Sequence, residues 1–159
     1  MANKTGWAAG RLFSGLGWNA LFGAELATLA NGSAVLSSIA VTNGTGLDQL
    51  IDLSFVGGMA SNNPAAGAGV SFWLAMLAAD GTTYGDGRLT STPSAYTPPW
   101  FSFAFVPSQV GTAITSIIGS QPMLAIPPGS FKMAAQNNMG FALTSGQLYG
   151  RAYDQDLNA

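Results

Sequence analysis

The chain has 159 residues, 48% of them hydrophobic but only 8% charged, with no His and no Cys. That length suits one domain with a real core. The missing Cys excludes disulfides and thiolate metal sites, the missing His removes the commonest general base and metal ligand, and a net charge of −2 argues against a nucleic-acid partner.

Charge is scarcest between Arg88 and Lys132, which bracket 43 residues (89–131) with none. A soluble domain ordinarily carries about a quarter charged residues. A free monomer relies on such charge for solubility, whereas a surface covered by neighbours does not. The chain is therefore expected to be a subunit of an assembly, a homo-oligomer among the forms expected. Its apolar runs, such as residues 72–79, fall far short of the ~18 residues of a membrane span, so no membrane partner is expected. Lys4 and Arg11 straddle Trp7 and several glycines with no continuous apolar stretch, unlike a signal peptide. Synthesis in the cytoplasm without export is the matching expectation.

In chain order, residues 1–17 come first, glycine-rich yet holding Trp7, Leu12 and Phe13. Glycine's backbone freedom makes such a segment a poor autonomous folder, and its side chains are too apolar for a solvated tail. It reads as an N-terminal docking arm in which Trp7, Arg11, Leu12 and Phe13 meet a partner. The alternative is an arm packed on its own domain. Residues 18–159 then form a β-sandwich domain with a leading helix at 18–30. Trp18, Leu21, Phe22, Leu26 and Leu29 recur at helical spacing there, Ser14 or Asn19 can cap the start, and Asn31-Gly32 supplies a left-handed stop.

From Ser33 the period changes to two. Strands are predicted over 33–42, 47–57, 70–78, 101–105, 112–118, 123–126, 131–137 and 148–154. Turns rich in Gly, Pro and Asn separate them at 43–46, 57–58, 119–122, 127–129 and 137–140. About eight short strands without a long internal repeat predict an all-β fold, an antiparallel, jelly-roll-like β-sandwich. Its core is expected to hold Ile51, Leu53, Phe55, Phe72, Leu74, Met76, Phe103, Phe105, Ile126 and Phe131.

Catalytic chemistry finds little support. Asp48 and Asp52 share one strand face about 13 Å apart at ~3.3 Å per residue, too far for paired acid–base work. They read as a solvent-facing row on an edge. Asp80 to Asp86 superficially suggests a calcium loop, but the regular oxygen ligands and distal Glu are missing, and Asp-Gly is above all a turn dipeptide. No serine has a base marked by a motif, and no phosphate-binding glycine pattern links a strand to a helix. No metal, cofactor or enzymatic activity is expected. Trp73, Tyr84, Tyr96 and Trp100 are compatible with a sugar-stacking platform, although aromatics also dominate cores and interfaces. The candidate partner-binding set is Trp7, Arg11, Leu12, Phe13, Trp73, Tyr84 and Trp100.

Five segments in order carry a resemblance: A-E-L-A-T-L-A-N-G-S-A (24–34), L-A-A-D-G-T-T-Y-G-D-G (77–87), L-A-I-P-P-G-S-F-K (124–132), Q-N-N-M-G-F-A-L-T-S-G (136–146) and L-Y-G-R-A-Y-D-Q-D (148–156). Together they resemble small jelly-roll virion proteins of tailed bacteriophages, among them capsid cement and decoration subunits. The resemblance implies a non-enzymatic structural subunit located in the virion. Its partner would be the major capsid protein or another virion protein. The alternative is a tail or baseplate module that recognises host-surface glycan.

Overall fold

The computed structural model describes residues 6–9, 17–44, 48–85, 102–107 and 113–156. Within them lie β1 (Gly6–Ala9), β2 (Asn19–Ala20), β3 (Ala34–Asn43), β4 (Leu50–Asn62), β5 (Val70–Met76), β6 (Ser102–Phe105), β7 (Ile114–Ala125), β8 (Gly129–Asn137) and β9 (Leu143–Asp156). They form two antiparallel sheets. The larger runs β1-β9-β4-β7, with the short β2 also paired to β9; the smaller runs β3-β8-β5-β6.

The pairings are nested. β2 pairs β9, β3 pairs β8, β4 pairs β7 and β5 pairs β6, like a single long ribbon folded at its middle and rolled up. Rolling brings β4 against β9 and β5 against β8, which completes the two sheets. They face each other as an all-β sandwich.

Alternation along the strands fills the space between the sheets. Ile51, Leu53 and Phe55 enter from β4, Val70, Phe72 and Leu74 from β5, and Phe131, Met133 and Ala135 from β8, all buried. Phe55 and Phe72 meet across the sandwich with ring centroids 5.0 Å apart, and Phe105 lies 5.7 Å from Phe55 and 5.8 Å from Phe72. Of the expected core, Ile51, Leu53, Phe55, Phe72, Leu74, Phe105, Ile126 and Phe131 are buried. Met76 packs partly buried against them, and the Phe103 side chain lies outside the described residues.

The helix expected at 18–30 does not form. After β2 the chain crosses from the larger sheet to the smaller, and its apolar side chains plug the gap between them. Leu21, Phe22, Leu26 and Leu29 are all buried. The backbone is held from outside the segment: Leu21 N–H donates to Leu148 O (2.8 Å), Leu21 O accepts from Ser37 Oγ (2.7 Å), and Leu29 O accepts from Asn137 Nδ2 (2.8 Å). Gly146 and Gly150 make room for this plug, since a Cβ at either would lie 2.8 Å from Leu26 or Leu21. Thr28 at φ 70° also leaves helical geometry. Partners offered by β8 and β9 outweigh the local helical spacing.

Two strands run through their expected turns. β4 continues past Gly57-Gly58 to Asn62, and β7 joins the stretches 112–118 and 123–126 through Gly119 to Pro122. The glycines serve packing here. A Cβ on Gly57 would stand 2.6 Å from the Phe55 ring, and one on Gly119 2.3 Å from the Phe105 ring.

Candidate interaction surface

The outward positions of β4 are Leu50, Asp52, Ser54 and Val56, opposite in phase to the buried Ile51, Leu53 and Phe55. Register places Asp52 beside Arg151, Ser54 between Tyr149 and Ser120, and Val56 between Gln147 and Ile118. This face of the larger sheet is nearly free of charge.

Its one polar centre is Asp52. Arg151 Nη2 donates to Oδ2 at 2.6 Å, while Met123 N–H and Tyr153 Oη donate to Oδ1 at 3.0 and 2.8 Å. Burial pushes the carboxyl pKa up, but these three donors and the Arg151 charge outweigh it and hold the value below the ordinary 3.8. Burial and the neighbouring carboxylate together push the Tyr153 hydroxyl up to about 12. Arg151 also stacks over the Trp18 ring, 5.0 Å from its centroid. These hydrogen bonds to the Asp52 carboxylate tie β4 to β7 through Met123 and to β9 through Arg151 and Tyr153.

Around this centre exposed apolar side chains stand among serines and Gln147. Trp18 is 45% exposed, Val56 43%, Met123 59% and Ile118 72%. They include four of the five large exposed hydrophobic side chains among the described residues; the fifth, Val106, follows β6.

The outer face of the smaller sheet is different. Trp73, expected at a partner surface, is 1% exposed and packs with Ala34, Ala134 and Leu36. Tyr84 is half-buried, bridged through its backbone to Leu77, with the Lys132 ammonium 4.9 Å from its ring centroid. The structure therefore sets Trp73 in a small second core and does not present Trp73 and Tyr84 as an open stacking platform. Trp7 stands on β1, its backbone paired with Gln155, and its side chain lies outside the described residues. Arg11, Leu12, Phe13, Tyr96 and Trp100 lie outside them as well. The β1 part of the expected docking arm thus extends the chain's own larger sheet.

Asp48 and Asp52 are both buried, which overturns the solvent-facing row. β4 is a central strand between β9 and β7, not an edge, so its outward carboxylate is walled by neighbouring strands. Asp80 holds its own turn: its carboxylate accepts from the Thr82 and Thr83 N–H groups and from the Thr83 hydroxyl, which pulls its pKa down to about 2. Asp86 lies outside the described residues. Among the described residues no three acidic side chains converge on a metal position, and no helix is long and apolar enough to cross a membrane.

Trp18, Val56, Ile118 and Met123 escaped the reading of the sequence as surface residues. Their signal was present in β4, where Val56 falls on the face opposite Ile51, Leu53 and Phe55. A scan against protein-family models, a search of curated proteins and a search of solved structures each return no match.

Proposed function

We propose that this chain is a non-enzymatic structural subunit of a larger assembly, built as a jelly roll and joined to its neighbours through the outer face of the larger sheet. The observation that carries this reading is that face: four large exposed hydrophobic side chains around the hydrogen-bonded Asp52–Arg151–Tyr153 group. Several large exposed apolar side chains gathered on one face of a charge-poor protein are the mark of an interaction site. The nested pairing of β2 with β9 through β5 with β6 supports the jelly roll, taking β1 and β2 as one interrupted first strand. Jelly rolls are frequent in viral capsid proteins, and the resemblance to tailed-phage virion proteins narrows the assembly to a phage particle. The favoured role is a cement or decoration subunit bound to the major capsid protein and stabilising the head.

Addition of the purified chain to heads that lack it tests this directly. The chain is expected to cosediment with heads and raise their resistance to heat, and Met123→Glu combined with Val56→Glu to fold normally yet remain in the supernatant. Cosedimentation with tails alone, or glycan binding without head binding, would replace the cement role by recognition.

A further inference from the structure

We propose that two copies of this chain pair through β7, edge to edge and antiparallel, about a two-fold axis passing by Ile118. Four sheet edges are present among the described residues, and three are blunted. β1 and β2, which share the edge along β9, and β6 are only four, two and four residues long. β3 is longer, but its register shifts between Leu36 and Ala40, and side chains take its edge donors there. Ser38 N–H donates to Glu25 Oε1 (2.6 Å) and Ile39 N–H to Ser37 Oγ (2.9 Å). These are the ordinary protections against strand addition.

β7 lacks them. It is 12 residues long, and no strand among the described residues pairs with the side away from β4. Ser116 to Gln121 run in unbroken register with β4, ahead of the irregularity at Pro122 and Met123. Alternate residues of such a strand direct both N–H and C=O outward, where another strand satisfies them. No charge on the strand opposes that approach.

The side chains point to a second copy as the occupant. On the outer face β7 presents Ser116, Ile118 and Ser120, all exposed. Read in either direction, this is Ser, Ile, Ser. Antiparallel self-pairing centred on Ile118 sets Ile118 against its own copy and Ser116 against Ser120. On the inner face the same register sets Ile117 against Gly119, a large residue against a small one. The pairing is isologous and closes at two copies. It extends the larger sheet and its apolar outer face across both subunits, with Val56 next to Ile118 on each side.

Because the chain has no Cys, single thiols report the register cleanly. Ile118→Cys places two sulfurs on cross-strand neighbours whose Cβ atoms lie ~4.5–5.5 Å apart, close enough for a disulfide. Ser116→Cys places its two thiols about 13 Å apart, four residues out of register, beyond reach. At about 100 μM, where micromolar pairing is populated, the unmodified chain is expected to sediment as a dimer. Ile118→Cys is expected to oxidise to a covalent dimer at least tenfold faster than Ser116→Cys, and a mixture of Ser116→Cys with Ser120→Cys to cross-link efficiently. Ile118→Lys, which sets like charges face to face, is expected to give a monomer with an unchanged circular dichroism spectrum. A monomeric unmodified chain, equal cross-linking of Ile118→Cys and Ser116→Cys, or a dimeric Ile118→Lys variant would each overturn the proposal.

Discussion

The two sheets have outer faces of similar chemistry and opposite fate. On the smaller sheet, Trp73, Ala75 and Ala134 point away from the core yet are buried. On the larger sheet, Val56, Ile118 and Met123 also point away from the core, and they stand open. Apolar composition alone therefore does not identify a docking face. What separates the two is whether the protein itself completes the burial.

The largest expected contrast is in stability. Trp73→Ala should cost about 3–5 kcal/mol, the cost of a buried aromatic lost with its cavity, although Trp73 lies outside the main core. Ile118→Ser, measured at a dilution where the chain is monomeric, should change stability by less than about 0.5 kcal/mol, as an exposed site does. Urea unfolding of both variants checks the pair. Equal costs would erase the distinction between the faces.

A smaller effect is expected where the open face keeps its one buried polar group. Asp52→Ala strands Tyr153 Oη and half-exposed Arg151 without their acceptor, at about 1–3 kcal/mol. Arg151→Ala should cost less, because much of its ion pair is solvated. A costlier Arg151→Ala would mean that the pair, not the hydrogen bonds of Asp52, holds the three strands.

The smallest effect separates with pH. The Asp52 carboxyl titrates lower in the fold than its ordinary 3.8, so its contribution is complete above that value and is lost as pH falls through the depressed pKa. Tyr153 runs the other way: its pKa is raised from 10.0 to about 12, so its contribution is complete below 10 and is lost as pH rises toward 12. With no His or Cys to titrate between, stability should be flat across roughly pH 5 to 9. Asp52→Asn should flatten part of the acid limb, as read from melting temperatures at pH 3 and pH 7.

Much of the sandwich was legible in the chain. The two-residue period of Ile51, Leu53 and Phe55, and of Phe72 and Leu74, located the inner faces of β4 and β5 because alternation is a local property. Three features were not legible, each for a tertiary reason. Leu21, Phe22, Leu26 and Leu29 have helical spacing, but their common burial is met by plugging the gap between sheets, where β8 and β9 supply the hydrogen bonds. Gly57 and Gly119 look like turn residues, and their purpose appears only once Phe55 and Phe105 lie over them. Asp52 looks solvated until Arg151 and Tyr153, about a hundred positions later, arrive beside it. The interaction face was hidden for the same reason: Trp18, Val56, and the pair Ile118 and Met123 come from three separate segments. Trp73, by contrast, stands out as an aromatic on a two-sided apolar strand, and the apolar neighbours it packs with include Ala34 and Leu36 of β3 and Ala134 of β8.

Hydroxyl-radical footprinting of the free chain and of the assembled particle tests the division between closed and open faces most directly. Trp18 and Met123 should oxidise rapidly in the free chain and become protected on assembly, while Trp73 stays protected in both. Equal oxidation of Trp18 and Met123 in the two states, or rapid oxidation of Trp73 in the free chain, would contradict it.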